Sequence, residues 1–315
     1  MPVLRSVLEL IGNTPLVDVS ALSPNPAVRI LAKLEGQNPG GSVKDRVALS
    51  MIEDAEQTGR LVAGATLLEP SSGNTGIGMA LVCRLKGYHL KIVLPGNVSI
   101  ERRQLLEVWG AEVIDSPAAE GSNGAVRMAH QLAAEHPEWT FLYQYGNQAN
   151  PRAHYEGTGP EIWRDCPEIT HFVSGLGTSG TLLGVGRFLK ERNPKVQVWA
   201  IEPPTGETVE GLRNLDEGYI PPIFVELNGQ DLLDRKTIVG PRDSIEWTRR
   251  LADLGIFAGI SSGAALAGAI KCAGSIEQGT IVFVCADGGW KYLSTGAWTD
   301  DLDDVVERAR RIIYF

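Results

Sequence analysis

A lysine in a glycine-rich loop is the first candidate for chemistry. The segment NPGGSVKDR, Asn38 to Arg46, makes a Pro-Gly-Gly turn and then places Lys44 at the start of a predicted helix. Nearby positive charge and the positive end of the helix disfavour an ammonium ion, so we expect a lowered pKa. An amine available near neutral pH is what Schiff-base chemistry requires. Taken alone, the segment fits a solvated surface lysine better, because most lysines are exposed.

A second loop has the composition of a carboxylate site. The segment SSGNTG, Ser71 to Gly76, directly follows the apolar run TLLEP. Its small residues leave backbone N–H groups open at a helix N-terminus, where an anion is stabilised. The side chains of Ser71, Ser72, Asn74 and Thr75 add further donors. An ordinary helix cap is the alternative, but it explains only one or two of these residues.

A third loop is typical of a phosphate site. The segment GLGTSGT, Gly175 to Thr181, lies between a predicted strand and a predicted helix. Its small residues allow several amides to point at one anion. The loop also matches GxGxxG and is followed by a strand that ends in Glu202, which resembles a dinucleotide fingerprint. The motif therefore predicts phosphate binding and leaves the cofactor open.

Strands and helices alternate along the chain and predict how these loops are positioned. Two amphipathic stretches, Ile77–Gly87 and Glu101–Gly110, have helical spacing and end on glycine. The alternation predicts a doubly wound α/β fold, in which ligands lie at the carboxyl ends of the strands. The runs predicted as buried parallel strands are Thr66–Pro70, His89–Pro95, Ala111–Ser116, Thr170–Gly175, Val196–Pro203 and Thr280–Gly288. We place a hinge between two lobes in the turn-rich stretch Gly146–His154.

Composition excludes several classes of function. The 315 residues are 43% hydrophobic and 21% charged, which is typical of a globular protein of one or two domains. A net charge of −9 argues against a nucleic-acid or anionic membrane surface, and no apolar run is long enough to span a bilayer. The four cysteines form no CxxC and the histidines no HExxH, so we expect no metal site. Inert thiols and the absence of a signal peptide predict a cytoplasmic protein.

Taken together, the motifs resemble those of the β-family of pyridoxal-phosphate (PLP) enzymes, and among them the cysteine synthases. The resemblance runs nearly end to end. It implies a tryptophan synthase β-like fold (fold type II) with two doubly wound α/β domains. The smaller, mobile domain is expected at residues 43–147, and the larger, PLP-phosphate-binding domain at 1–42 with 148–315. The matching motifs are GNTPL (Gly12–Leu16), NPGGSVKDR, EPSSGNTGI (Glu69–Ile77), YQYGN (Tyr143–Asn147), GLGTSGTLLGVGRF (Gly175–Phe188) and GISSGAA (Gly259–Ala265).

The resemblance also implies a role for each site residue. Lys44 forms the Schiff base with PLP and removes the Cα proton of the substrate, so that the β-substituent leaves through an aminoacrylate to which a sulfur nucleophile adds. Asn74 is expected at the phenolic oxygen of PLP and Ser261 at its pyridine nitrogen. Its phosphate is expected at Gly177, Thr178, Ser179, Gly180 and Thr181. The residues expected to bind the substrate carboxylate are Ser71, Ser72, Gly73, Thr75 and Gln144.

Three further segments resemble the actinobacterial B-type branch, which uses O-phosphoserine and a thiocarboxylated carrier protein. They are ERRQLLE (Glu101–Glu107), GLRNLDEGYIP (Gly211–Pro221) and ADGGWKYLSTGAW (Ala286–Trp298). The branch implies that Arg213 binds the substrate phosphate, which a guanidinium fork suits; a surface ion pair with Asp216 or Glu217 is the alternative. The C-terminal segment Asp301–Phe315 resembles the branch in length, and either closes over the active site or forms a free end or dimer contact. Its basic run Arg308, Arg310 and Arg311 departs from the branch.

Other functions remain as alternatives. O-acetylserine with free sulfide is one pair of substrates, and cystathionine β-synthase-like or dehydratase activity is another possibility within the PLP enzymes. A nicotinamide-dependent dehydrogenase explains the GxGxxG motif but leaves the lysine and carboxylate loops without a role. A non-catalytic relative is disfavoured because both of those loops are intact. The family implies a small amino-acid substrate, a homodimer and, in this branch, a small sulfur-carrier partner.

Overall fold

The computed structural model describes residues 3–71, 73–217 and 219–311. Two predicted features lie outside these ranges, namely the carboxylate-binding role of Ser72 and the last residues of the C-terminal segment, 312–315. Within the described ranges, no helix combines the length and the apolar content needed to cross a membrane.

Strands and helices alternate along most of the chain. The strands are β1 (Leu16–Asp18), β2 (Val28–Leu34), β3 (Thr66–Pro70), β4 (His89–Pro95), β5 (Glu112–Ser116), β6 (Thr140–Phe141), β7 (His171–Gly175), β8 (Gln197–Glu202), β9 (Arg235–Ile238) and β10 (Gly279–Cys285). The helices are α1 (Lys44–Gln57), α2 (Asn74–Lys86), α3 (Ile100–Val108), α4 (Gly121–Glu135), α5 (Ala149–Ala153), α6 (Gly159–Asp165), α7 (Gly180–Arg192), α8 (Pro222–Glu226), α9 (Gly229–Leu232), α10 (Pro241–Asp253), α11 (Ile260–Ala273) and α12 (Leu302–Arg311).

The strands form two sheets, one in each domain. The larger domain contains a six-stranded sheet in the order β1-β2-β10-β7-β8-β9, and the smaller domain a four-stranded sheet in the order β5-β4-β3-β6. All pairs are parallel except the edge pair β1–β2. Helices α1 to α4 lie with the smaller sheet. The predicted α/β class with two domains is confirmed, whereas the boundaries at residues 43 and 147 and the mobility of the smaller domain stay predictions.

Alternation of apolar residues along the strands places a core on each face of the larger sheet. In β10, Ile281 and Phe283 pack into one buried cluster, while Val282 and Val284 pack into the cluster on the opposite face. A strand covered on both faces appears as a continuous apolar run, which is why TIVFVC was recognisable as buried. All four cysteines are also buried and form no disulfide.

The predicted elements match the observed ones closely, with two exceptions. Strands β3 and β4 begin and end at the predicted residues, and helix α2 is capped as predicted by Gly87, which adopts the left-handed conformation with φ 78°. The buried strand predicted at Ala111–Ser116 is wrong in its burial, because β5 lies at a sheet edge and is mostly not buried. The turn-rich stretch predicted at Gly146–His154 is helical from Ala149, since α5 continues through a π-helical turn into α6.

A buried ionic cluster fixes the start of α1 to the larger domain. The guanidinium of Arg46 donates to Glu35 at 2.7 Å and to Glu161 at 2.7 Å, and the fully buried Lys33 also donates to Glu161 at 2.7 Å. Thr14, from the GNTPL motif, donates to Glu35 at 2.6 Å. Two cations and two carboxylates balance one another, as buried charges must. The cluster therefore holds the first turn of α1, and with it Lys44, in one position.

Candidate active site

Lys44 is the first residue of α1, as predicted, and it lines the cleft between the two domains. The loop before it is anchored at the end of β10, where the Val43 amide donates to the carbonyl of Ala286 at 2.8 Å. Burial lowers the pKa of Lys44 to about 8, while the charge of Asp287 acts in the opposite direction. The predicted direction is thus confirmed, but its physical cause is desolvation rather than the helix end or neighbouring positive charge.

The loop after β3 forms one wall of the cleft. Ser71, Gly73 and Thr75 line it together with Gln144. The Ser71 hydroxyl accepts hydrogen bonds from the amides of Gly73 at 3.2 Å and Gly76 at 2.9 Å, so Ser71 also acts as the cap considered as an alternative. Thr75 Oγ1 donates to Gln144 Oε1 at 2.6 Å, and Gln144 Nε2 donates to the Pro70 carbonyl at 3.2 Å. These bonds fix the orientation of the Gln144 amide.

Glu69, to which no motif in the sequence assigned a role, supports the turn that carries Gln144. It is fully buried at the end of β3, and its two carboxyl oxygens accept from the amides of Tyr143 at 2.8 Å and Gln144 at 2.9 Å. Burial raises the pKa of Glu69 to about 8, against the effect of these two hydrogen bonds. Tyr143 has a φ of 56°, which is uncommon for a residue with a side chain. Glu69 therefore holds a strained turn that presents Gln144 to the cleft.

The GLGTSGT loop leads into the N-terminus of α7 and fits a phosphate group. Gly177, Thr178, Ser179 and Thr181 line the cleft, and the first amides of α7 have no acceptor within the helix. The Ser179 hydroxyl is buried and makes no hydrogen bond to the described residues. At Gly177, a Cβ would lie 2.7 Å from the carbonyl oxygen of Gly211, so only glycine fits there. Gly180 lies beneath the loop, where a Cβ would meet Asn150.

The alternative dinucleotide site does not fit this geometry. Glu202, the acidic residue expected to bind a ribose, is fully buried. Its carboxylate accepts from the Leu215 amide at 2.8 Å and pairs with Lys236 at 3.3 Å. The carboxylate is therefore engaged within the larger domain and does not face a ligand.

The residues expected to hold PLP meet in one cleft. Lys44, Asn74 and Ser261 line it together with the phosphate-type loop. The Asn74 side chain is held by two residues that the sequence reasoning did not assign, since Lys291 donates to Oδ1 and Asp287 accepts from Nδ2. Both belong to the segment ADGGWKYLSTGAW, which served only to indicate a branch. An amine with a lowered pKa, a buried hydroxyl and open helix amides fit the aldehyde and phosphate of PLP.

Arg213 is buried in the cleft and not on the surface, with 3% of its area exposed. Its guanidinium lies 4.6 Å from the ring centre of Tyr219 and 5.6 Å from that of Tyr145. Nη1 donates to Asn123 Oδ1 at 3.2 Å. The alternative surface ion pair with Asp216 is therefore wrong, because Asp216 is exposed and pairs with Lys236 at 3.5 Å.

The described part of the C-terminal segment belongs to the larger domain. Helix α12 buries Val305 and Val306 in the same cluster as α10 and α11. Arg308, from the basic run, pairs with Asp300 on the surface. The predicted closure of the active site by the residues after Arg311 falls outside the described ranges.

Comparison with known proteins identifies relatives along nearly the whole chain. Residues 7–287 match the sequence profile of the family described as pyridoxal-phosphate-dependent enzymes. Cysteine synthase B of Salmonella typhimurium is 42% identical over 300 residues, which cover 95% of this chain and 97% of that protein.

Solved structures of related enzymes share this fold over nearly the whole chain. The cysteine synthase of Entamoeba histolytica superposes with a TM-score of 0.87 at 32% identity, covering 97% of this chain and 96% of that one. The O-acetylserine-dependent cystathionine β-synthase of Helicobacter pylori has a TM-score of 0.86 at 34% identity, covering 95% of this chain and 100% of that one.

Proposed function

Because this chain belongs to the family of pyridoxal-phosphate-dependent enzymes, we propose that it is a cysteine synthase, which replaces the β-substituent of an activated L-serine with sulfur. The 42% identity to cysteine synthase B, which extends over 95% of the chain, supports this activity. The observation that carries the proposal is the meeting of three sites in one cleft. These are the amine of Lys44, the carboxylate-type loop at residues 71–75 and the phosphate-type loop at residues 177–181.

Lys44 is the residue assigned both to bind PLP and to move the proton of the substrate. Bound PLP supplies an aldehyde that condenses with amines and a ring that withdraws electrons from the Cα of the substrate. A pKa of about 8 leaves part of the Lys44 population as neutral amine at physiological pH, ready to bind the aldehyde. With PLP bound, Lys44 Nζ would be the general base that takes the Cα proton of the substrate. Ser261 would offer the ring nitrogen a neutral hydrogen-bond partner, which would favour elimination of the β-substituent.

The carboxylate of the substrate is assigned to the loop after β3. The Ser71 hydroxyl and the first backbone amides of α2, including that of Thr75, provide donors next to Gly73 at the N-terminus of the helix, where the helix dipole also favours an anion. Gln144 is already oriented by Thr75 and Pro70, so its amide needs no rearrangement to bind. A carboxylate held at this end places Cα near Lys44, because both line the same cleft.

The leaving group is proposed to be phosphate, which makes O-phosphoserine the preferred substrate. Arg213 is a buried cation in the cleft, and the faces of two tyrosines hold its guanidinium plane. A planar guanidinium fork suits a phosphate dianion, while the acetyl group of O-acetylserine offers it no charge. The other arginine that lines the cleft, Arg102, already forms a buried ion pair with Glu210 at 2.7 Å.

Replacement of Arg213 tests this choice of substrate. In Arg213→Ala, the KM for O-phosphoserine should rise about tenfold to a hundredfold, as expected for lost hydrogen bonds to a charged group. The KM for O-acetylserine should change little, and cysteine should still form from it with sulfide. Arg235→Ala is the matched control, since its guanidinium also lies 4.6 Å from an aromatic ring, that of Trp199, but outside the cleft. Equal effects on both substrates would mean that Arg213 has a structural role.

The sulfur donor and the assembly are proposed from the resemblance. A thiocarboxylated carrier protein is the donor expected for the branch, with free sulfide as the alternative. We also propose that the protein is a cytoplasmic homodimer. The smaller domain, at residues 43–147, is proposed to close over the substrate. Cysteine formation from O-phosphoserine with each donor in turn, measured by product analysis, decides between the two donors.

Cystathionine β-synthase activity is a second candidate, because the Helicobacter pylori enzyme of that name superposes along 95% of this chain. Offering homocysteine and sulfide in competition distinguishes the two activities. Cystathionine as the main product would replace the first proposal.

A further inference from the structure

A fully buried lysine lies behind the cleft. Lys291 belongs to the short helical turn Gly289–Thr295, and its side chain is fully buried. Its Nζ donates to Oδ1 of Asn74 at 2.7 Å and to the carbonyl oxygen of Gly41 at 3.0 Å. Lys291 is not among the described residues that line the cleft, whereas Lys44 is. Lys291 is therefore placed to act on the residues around the cofactor and not on the cofactor itself.

Both ends of the Asn74 carboxamide are engaged. While Oδ1 accepts from Lys291, Nδ2 donates to Asp287 Oδ2 at 2.7 Å. Asp287 is held in turn, because the hydroxyl of the buried Tyr292 donates to the same oxygen. A cation on one side and a carboxylate on the other permit only one orientation of the amide. One N–H of Nδ2 then remains for a ligand in the cleft, which Asn74 lines.

The surroundings of Lys291 support a charged ammonium. Burial lowers its pKa to about 8, while the charges of Asp287 and Asp45 oppose this and that of Arg102 adds to it. Most of the population is thus protonated at neutral pH. A hydrogen bond from an ammonium polarises the amide and strengthens the remaining N–H as a donor. The same ammonium holds Gly41, three residues before Lys44, so it fixes the distance between the lysine loop and Asn74.

We propose that Lys291 is a positioning residue that fixes the carboxamide of Asn74, and thereby the N–H group that Asn74 presents to bound PLP. The role depends on the cofactor and not on which substrate the enzyme uses, so it stands apart from the choice between O-phosphoserine and O-acetylserine. Because Lys291 belongs to the larger domain and Asn74 to the smaller one, the contact also sets how the two domains meet at the cofactor.

The test is cofactor binding in the variant Lys291→Met, which keeps the length of the side chain and removes the ammonium. Equilibrium dialysis of the holoenzyme should show that the variant binds PLP about tenfold more weakly than the natural protein does. The visible absorption maximum of the bound cofactor should also shift. Lys271→Met is the matched control. The Nζ of Lys271 also makes two hydrogen bonds, one to a backbone carbonyl oxygen, that of Ile238 at 3.0 Å, and one to a side chain, that of Asp243 at 3.3 Å, but Lys271 lies outside the cleft. This variant should leave PLP affinity and the spectrum unchanged.

A double-mutant cycle with Asn74→Ala shows whether Lys291 acts through Asn74. If it does, Lys291→Met should cause little further loss of PLP affinity in the Asn74→Ala background. The proposal is overturned if the loss is the same in both backgrounds, or if Lys271→Met causes an equal loss and an equal spectral shift. Should Lys291→Met fail to fold, Lys291→Gln replaces it, because glutamine keeps an N–H donor without the charge. Its smaller effect on PLP affinity should vanish in the Asn74→Ala background in the same way.

Discussion

Nη1 of Arg213, in the larger domain, donates to Oδ1 of Asn123, in helix α4 of the smaller domain, at 3.2 Å. The bond joins the two domains at Arg213, the residue that lines the cleft and is proposed to bind the leaving group of the substrate. A second pair, Arg102 and Glu210 at 2.7 Å, also joins the two domains and is buried. The cation assigned to the substrate phosphate is therefore oriented by a residue from the other domain.

Asn123→Ala should selectively weaken binding of O-phosphoserine. Without the Asn123 acceptor, the guanidinium of Arg213 loses a partner that orients it, so the KM for O-phosphoserine should rise roughly tenfold. The KM for O-acetylserine should stay within error. Gln131→Ala is the control, because Gln131 lies on the exposed side of the same helix and bonds to Glu135. A rise in KM for both substrates would show that Asn123 stabilises the cleft in general.

Lys44→Ala should remove the covalent link to the cofactor and lower activity by roughly a thousandfold or more, because one amine both binds the aldehyde and moves the proton. Borohydride reduction followed by intact-mass measurement detects the link. Lys271→Ala, at a half-exposed surface lysine that pairs with Asp243, should keep it. Retention of the added mass in Lys44→Ala would identify another lysine as the attachment site.

The loops assigned to the cofactor and the substrate could be predicted because their chemistry is local. Glycine, serine and threonine between a strand and a helix are typical of an anion site wherever they occur. The resemblance of its segment also predicted a place in the cleft for Arg213, but not its position between Tyr145 and Tyr219. The acidic neighbours of Arg213 in the sequence left a surface ion pair as the alternative.

The supporting residues could not be predicted because their partners are distant in sequence. Lys291 and Asn74 are separated by 217 positions, and Glu69 and Tyr143 by 74. A lysine in a Gly-Trp-Lys-Tyr context or a glutamate at the end of a strand has no local feature that reveals such a contact. Only the meeting of β3, the turn at residues 143–147 and the segment after β10 places these side chains together. The same applies to β1, β2 and β9, whose pairing depends on the assembled sheet.

Glu69→Gln should impair binding of both substrates to the same extent. A glutamine places an NH2 group against one of the two backbone N–H donors at Tyr143 and Gln144, so a buried donor loses its acceptor at a cost of roughly 1–3 kcal/mol. The turn that presents Gln144 then shifts, and the KM for O-phosphoserine and for O-acetylserine should each rise about tenfold. An equal rise in the two KM values would distinguish Glu69 from the residues that bind the leaving group, because the two substrates share the carboxylate and differ in the leaving group. Glu112→Gln, at an exposed carboxylate that pairs with Lys91, should leave both values unchanged.

The buried cluster around Glu161 should make stability depend on pH in the acid range. Burial alone would raise the pKa of Glu161, but the hydrogen bonds and charges of Arg46 and Lys33 outweigh it and lower the pKa to about 2. A carboxyl group whose pKa is lower in the folded state stabilises the protein above its ordinary pKa of 4.5. That contribution is lost as the pH falls from 4.5 towards 2.

The variant Glu161→Gln isolates this contribution. At neutral pH it should be less stable than the natural protein by roughly 3–5 kcal/mol, because it leaves Lys33 and Arg46 short of a buried carboxylate. Denaturant unfolding between pH 7 and pH 3 should show this difference shrinking below about pH 4.5, since the Glu161 carboxyl then takes up a proton in the unfolded natural protein while it stays ionised in the folded state. Glu168→Gln, which breaks the half-exposed pair with Arg29, should cost less than about 1 kcal/mol at any pH. A difference for Glu161→Gln that stays constant with pH would mean that glutamine disturbs packing rather than charge.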